Sequence, residues 1–131
     1  MILTKVVLEQ LKILINGLGY NCFLSIAPQG TSYPFITLMP VVSVEIRSFG
    51  QIYDNCNVAI TIYCNANNVA TLMNMASAIE SSLEYFDYTD GSNHIYCTHK
   101  ENEVGPIFNN KESYWSYSAD YTFKCQRERG T

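Results

Sequence analysis

The stretch that decides the fold is residues 53–86, YDNCNVAITIYCNANNVATLMNMASAIESSLEYF. Its hydrophobic period changes from 2 to 3.6 inside the segment, which indicates a strand followed by a helix. In the first half, every second residue is apolar, so one face of the strand can be buried. The apolar positions of this strand are Val58, Ile60, Ile62 and Cys64.

The second half of the segment predicts an amphipathic helix, because its apolar residues recur at steps of three and four. The junction 65–68 is rich in asparagine, whose side-chain oxygens can cap the first free amides of a helix. The segment therefore predicts a helix that packs on a sheet. Its apolar stripe consists of Val69, Leu72, Met73, Ala76, Ile79, Leu83 and Phe86.

The rest of the chain predicts a second helix and further strands. Thr4 is a candidate N-cap for the first helix, and Gly17 and Gly19 are typical of its end. Pro40 must lie at a bulge, an edge or a break, because it cannot donate to a sheet ladder. The predicted elements are a helix at 5–18, strands at 21–27, 34–49, 94–100 and 113–125, and a loop at 102–111.

This order of elements predicts an α+β fold: a mainly antiparallel β-sheet, two α-helices packed on one face, and a projecting β-hairpin. The hairpin spans residues 41–53 and turns near Phe49. A chain of 131 residues has the usual size of one domain, so we expect residues 1–131 to form a single domain.

Charge and composition argue against several functions. The formal net charge is −4 and the sequence pI about 5.0, and the basic residues are scattered, so a nucleic-acid-binding groove is not expected. No apolar run approaches the roughly 20 residues that span a bilayer, and the N-terminus has no signal-peptide pattern. These features predict a cytosolic protein with no membrane partner.

The five cysteines favour the same compartment. Their number is odd and no two have Cys-x-x-Cys spacing, so we expect buried thiols in a reducing environment.

Candidates for catalysis or metal binding are few. His94, Cys97 and His99 are close in sequence, but strand alternation predicts that Cys97 and His99 point one way and His94 the other, and no fourth ligand follows. Glu80 and Glu84 lie one helical turn apart, which is typical of a solvated helix face. We therefore predict no catalytic residues, no metal site, no cofactor and no enzymatic activity.

Three local patterns resemble the tail terminator family of long-tailed bacteriophages, also called tail completion or tail-to-head joining proteins. The first pattern is the opening amphipathic helix followed by a short strand and a proline turn. The second is the motif Tyr33-Pro34-Phe35-Ile36-Thr37-Leu38, and the third is the strand-to-helix segment 58–83. Together the patterns extend over nearly the whole chain.

The resemblance implies a non-enzymatic virion protein with an α+β fold, located at the tail or neck and assembled in the host cytoplasm. It implies a hexameric ring that caps the tail tube, stops its polymerisation and meets the head-tail connector or neck protein. The ten tyrosines suit subunit contacts. The net negative charge would let DNA pass through the ring without binding.

The hairpin is the predicted partner-binding surface, because its apolar residues exceed what a solvent-exposed loop requires. Two other functions remain open. One is a phage neck or head-completion ring protein, and the other is a small α+β enzyme or ligand-binding module centred on His94, Cys97 and His99. The predicted partner-binding residues are Val44, Glu45, Ile46, Arg47, Phe49, Gln51 and Ile52.

Overall fold

The computed structural model describes residues 2–48, 51–90 and 93–127. Within these ranges the chain forms two helices and six strands. None of the helices in the described ranges has the length and apolar character needed to cross a membrane. The elements are α1 (Ile2–Gly17), β1 (Cys22–Leu24), β2 (Phe35–Ser48), β3 (Gln51–Asn65), α2 (Val69–Glu84), β4 (Asp87–Thr89), β5 (Asn93–Asn109) and β6 (Tyr114–Arg127).

The strands form one sheet in the order β1-β2-β3-β6-β5-β4. The sheet is mixed, because β1 pairs with β2 in parallel while all other pairs are antiparallel. It curls into a half-barrel. The predicted α+β fold with a mainly antiparallel sheet is therefore confirmed.

Both helices pack on the same face of the sheet, as predicted. Helix α1 contacts β1 and β2, and α2 contacts β3 and β6. Alternate residues of the central strands point into this layer, and each fully buried large apolar side chain contributes about 1.5–3 kcal/mol. The largest fully buried side chains are Phe123, Leu11, Ile15, Ile36, Leu38, Ile60, Ile62, Leu72, Met75, Ile79, Leu83 and Ile95.

Helix α1 starts earlier than predicted. Thr4 lies inside the helix, so the prediction of Thr4 as its N-cap is wrong. The predicted end is confirmed: Gly17 is the last helical residue, and Gly19 has a φ of +94°. The amide of Gly19 donates to the carbonyl of Asn16 at 3.0 Å.

Helix α2 has the predicted position, but its buried stripe differs from the predicted one. Met75 is buried, whereas Val69 and Met73 are 36% and 42% exposed, so the prediction of Val69 and Met73 as core residues is wrong. The capping prediction is also wrong. Asn68 is the N-cap residue, yet its side chain makes no capping hydrogen bond, and its carbonyl accepts the amide of Leu72 at 3.1 Å.

Strands β2 and β3 form the predicted hairpin. Their register shifts between Pro40 and Val42, so Pro40 lies at a bulge, as predicted. Ser48 pairs with Gln51, and the predicted turn near Phe49 lies outside the described residues.

Strand β5 continues through the segment that the sequence predicts as a loop. Residues 102–109 pair with β6, so the loop prediction at 102–111 is wrong for most of its length. A register shift between Val104 and Ile107 accommodates Gly105 and Pro106 in a bulge. The chain turns at 110–113, where the side chain of Asn109 accepts two backbone amides at 3.0 Å.

Candidate functional site

The strand that carries His94, Cys97 and His99 does not bring these side chains together. A register shift places Cys97 opposite Phe123, on the helix-covered face, and His99 opposite Thr122, on the other face. The prediction that Cys97 and His99 share a face is therefore wrong, because a bulge resets the alternation of side chains. Within the described ranges, no three His, Cys, Asp or Glu side chains are grouped to hold a metal ion.

Each histidine instead has its own carboxylate partner. His94 Nε2 lies 2.8 Å from Asp87 Oδ1, and His99 Nε2 lies 3.0 Å from Glu101 Oε1. Burial raises the pKa of the Cys97 thiol to about 11. Cys97 is thus protonated near neutral pH, whereas a nucleophilic cysteine needs a lowered pKa.

A chain of hydrogen bonds crosses the face of the sheet that the helices leave uncovered. The Thr122 hydroxyl lies 3.1 Å from both Glu101 Oε1 and Asn57 Oδ1, and it can donate to one of them at a time. The pKa of Glu101 is lowered, chiefly by the hydrogen bond from His99 and then by that from Thr122. These contacts connect the side chains of β5, β6 and β3.

Lys100 connects β5 to α2. Its Nζ lies 3.0 Å from Glu80 Oε1 and also contacts Glu103 Oε2. The hydrogen bonds with Glu103 and Glu80 raise the pKa of Lys100. Glu80 is therefore an ion-pair partner of Lys100, and both Glu80 and Glu84 line an adjacent pocket. Burial, with a further effect of Glu103, raises the pKa of the nearby Tyr117 to about 12.

A pocket of about 310 Å³ lies beside this ion pair and is lined by Leu83, Cys97 and Tyr121, among others. Its volume is at the lower end for small-molecule sites. Its lysine already pairs with two carboxylates, and its thiol is protonated. The pocket therefore offers no activated nucleophile.

An aromatic cluster lies on the uncovered face. Phe35 and Tyr63 stack with ring centroids 4.8 Å apart, and Tyr33 stacks on Phe35 at 5.4 Å. Tyr114 contacts Tyr63 at 5.7 Å. We call this group the outer aromatic cluster; its members are Phe23, Tyr33, Phe35, Tyr63 and Tyr114.

A second apolar surface lies on the second half of β5, in the segment predicted as a loop. Val104 and Ile107 are 53% and 52% exposed. Phe108 packs against Trp115 with ring centroids 5.1 Å apart. The Trp115 indole donates a hydrogen bond to the carbonyl of Ala66 at 3.0 Å. This bond holds the Trp115 side chain against the turn that precedes α2. The sequence prediction missed this surface because it placed no strand there.

The predicted partner-binding residues follow the outer part of the β2–β3 hairpin. In the paired backbone, Val44 is opposite Asn55 and Ile46 is opposite Tyr53, while Arg47 pairs with Ile52 and Ser48 with Gln51. Glu45 is exposed. Phe49 lies outside the described residues, and the structure does not describe the side chains of Val44, Ile46, Arg47, Gln51 and Ile52. Their role in binding a partner stays a prediction.

The two edges of the sheet differ in how well they resist pairing with another strand. Strand β1 covers β2 only at 36–38, and β4 covers β5 only at 94–96. The uncovered part of β5 carries register shifts after Cys97, Lys100 and Val104, which protect an edge from foreign strands. Among the described residues, β2 pairs regularly with β3 from Val42 to Ser48, and no strand covers its outer side there.

The comparisons with known proteins identify a shared fold. No protein-family model matches the chain. No curated protein sequence matches it either. Among solved structures, the chain is similar to a chain of the "Virion of native gene transfer agent (GTA) particle", with a TM-score of 0.54 and 14% sequence identity. The match covers 91% of this chain and 84% of that one, so the two share their fold over nearly their whole length.

Proposed function

We propose that the chain is a structural protein of a phage-like virion, and that it acts as a tail terminator. In this role a hexameric ring caps the tail tube, stops its polymerisation and joins the tail to the head-tail connector. The fold shared with a chain of a gene transfer agent virion carries the proposal, because the likeness extends over 91% of this chain. The sequence resemblance to tail terminators supports the more specific role.

The surfaces of the protein are consistent with assembly. The outer aromatic cluster, the exposed apolar part of β5 and the uncovered edge of β2 are available for contact with other chains. Aromatic side chains are enriched where protein surfaces meet, and an uncovered strand edge can pair with a further strand. Contacts between ring subunits, with the tube protein and with the connector would use such regions.

The side-chain chemistry favours a non-enzymatic role. His94 and His99 pair with separate carboxylates, and Cys97 has a raised pKa. For the alternative of a small enzyme, Cys97 is therefore not an activated nucleophile. The net charge of −4 suits a ring through which DNA passes without binding.

Electron microscopy of particles from the phage or agent that encodes the chain tests this proposal. Antibody labelling should locate the protein at the head-proximal end of the tail, in the virion. Deletion of its gene should give tails of uncontrolled length that do not join heads. Tails of normal length beside unattached filled heads would instead favour the neck or head-completion protein. Normal complete particles would contradict both functions.

A further inference from the structure

Two buried cysteines of the central strands lie next to each other. The Sγ atoms of Cys56 on β3 and Cys125 on β6 are 3.8 Å apart, and the residues are 1% and 0% exposed. In the β3–β6 register, Cys56 is opposite Phe123 and Cys125 is opposite Asp54, so the two cysteines are diagonal neighbours on the helix-covered face. No function described above uses this pair.

The two sulfur atoms are joined by a hydrogen bond. The Cys125 thiol donates it to the sulfur of Cys56. This hydrogen bond, together with burial, raises the pKa of Cys125 strongly.

We propose that Cys56 and Cys125 form an oxidation site, which a peroxide converts into an intramolecular disulfide bond between β3 and β6. In the first step, the sulfur of one of the two cysteines attacks hydrogen peroxide and becomes a sulfenic acid, and one water is released. In the second step, the sulfur of the other cysteine attacks the sulfenic acid sulfur, the S–O bond breaks and a second water leaves. Two thiols thus lose two electrons and two protons to one peroxide.

Closure requires a small movement of the strands. Diagonal neighbours in an antiparallel pair have Cα atoms about 7–8 Å apart. The Cα separation in disulfides is roughly 4.4–6.8 Å, so the bond draws β3 and β6 together. Because both sulfurs are buried, the peroxide must reach them during local opening of the core. We therefore expect slow oxidation that a thiol reductant reverses.

The biological setting of this chemistry rests on the proposed function, because a virion leaves a reducing cytoplasm for an oxidising medium. The chemistry itself does not depend on it. If the oxidation fails, the tail terminator proposal is unaffected. If the tail terminator proposal fails, the oxidation can still occur.

The experiment uses the full chain with the substitution Cys97→Ala, because Cys97 is the one cysteine that is not buried. Thiol titration in denaturant without reductant should count four thiols before treatment with hydrogen peroxide and two afterwards. Peptide mapping should find the peptides of Cys56 and Cys125 linked, with the loss of two hydrogen atoms. Dithiothreitol should restore the count of four.

Two further variants provide the controls. In the Cys97→Ala background, Cys125→Ala should abolish the linked peptides, while Cys64→Ala should retain them. Circular dichroism checks that each variant is folded, and the mapping of the Cys97→Ala protein does not depend on either variant. Four thiols after oxidation, a link through Cys22 or Cys64, or overoxidised Cys56 beside an unmodified Cys125 would overturn the proposal.

Discussion

Lys100 on β5 places its Nζ 3.0 Å from Oε1 of Glu80 on α2, so one side chain connects an outer strand of the sheet to the helix layer. The helices otherwise contact β5 much less than they contact the central strands. The middle of β5 pairs with β6 and is not covered by β4, and the Lys100–Glu80 ion pair joins it to the helix layer.

The first prediction concerns the strength of this ion pair. A double-mutant cycle with Lys100→Met and Glu80→Gln should give a coupling free energy of about 0.5–1 kcal/mol, because both groups remain partly in water. Urea unfolding at pH 7 provides the measurement. The matched control is the exposed pair Lys5–Glu9, whose atoms are 3.9 Å apart and whose coupling should be smaller. Equal coupling in both pairs would contradict the prediction.

The second prediction concerns pH. The hydrogen bond from Lys100 is the largest cause that lowers the pKa of Glu103 below its ordinary value of 4.5. Because the folded-state pKa is lowered, Glu103 stabilises the fold above pH 4.5, and this contribution is lost as the pH falls through the lowered value. The urea midpoint of Glu103→Gln should thus lie below that of the parent protein at pH 7, and the difference should shrink at pH 3. Introducing Lys100→Met into both proteins should remove most of the difference at pH 7.

The third prediction tests the register of α2. Leu72→Ala, Met75→Ala and Ile79→Ala should each lower the free energy of unfolding by about 2–5 kcal/mol, because each removes a fully buried side chain. Met73→Ala is the matched control, with an expected change below about 1 kcal/mol, since Met73 is 42% exposed. Equal effects of the two methionine substitutions would show that the stripe is misplaced.

The fourth prediction concerns the bulge in β5. Gly105 has a φ of +114°, and a Cβ atom there would lie 2.8 Å from the carbonyl oxygen of Ser116. Gly105→Ala should therefore destabilise the protein by about 1–3 kcal/mol. Gly17→Ala is the control, because a Cβ at Gly17 meets nothing within 4 Å and the helix favours alanine. Thermal unfolding of the two variants tests whether the bulge requires glycine at position 105.

The fifth prediction tests the role of the hairpin. Replacing residues 47–52 with Asn-Gly keeps the Ile46–Tyr53 pair and all described pairing between β3 and β6. The monomer should stay folded, while complementation of the deleted gene should give tails of uncontrolled length or tails that do not join heads. Ile13→Ser, on the exposed side of α1, should support normal particles. Uniform tails with attached heads from the shortened hairpin would reject this surface.

The sequence predicts those elements whose hydrophobic period is regular over several turns or strand residues. The change of period in residues 53–86 correctly predicts β3 followed by α2. The hydrophobic pattern cannot predict whether Met73 or Met75 is buried, because both are apolar. The angle at which the helix lies on the twisted sheet decides which of them is buried. The loop at 102–111 was predicted from Gly105 and Pro106, which a bulge within a strand accommodates equally well.

The candidate surfaces depend on contacts that are distant in sequence. Tyr33, Tyr63 and Tyr114 meet only because β6 lies beside β3, and local patterns do not contain this strand order. The face on which His99 lies depends on a register shift, which the alternation of side chains cannot indicate. The sequence also shows no fourth ligand and no orienting acid for His94, Cys97 and His99. The structure nevertheless places a carboxylate beside each histidine, at Asp87 and Glu101.

The short strands β1 and β4 determine how neighbouring copies can fit together. Along the strand direction, β1 lies beside β2 at the level of Tyr117 on β6. Strand β4 lies beside β5 at the level of Cys125 on β6. The open stretches of the two edges, 39–48 and 97–109, therefore lie toward opposite ends of the strands. If the β2 edge of one copy met the β5 edge of another without a shift along the strands, β1 and β4 would stand between the two edges. Edge-to-edge joining requires each copy to be displaced along the strand direction by roughly 15–20 Å, at about 3.3 Å per residue. A flat closed ring built through these edges would therefore hold its strands oblique to the ring axis.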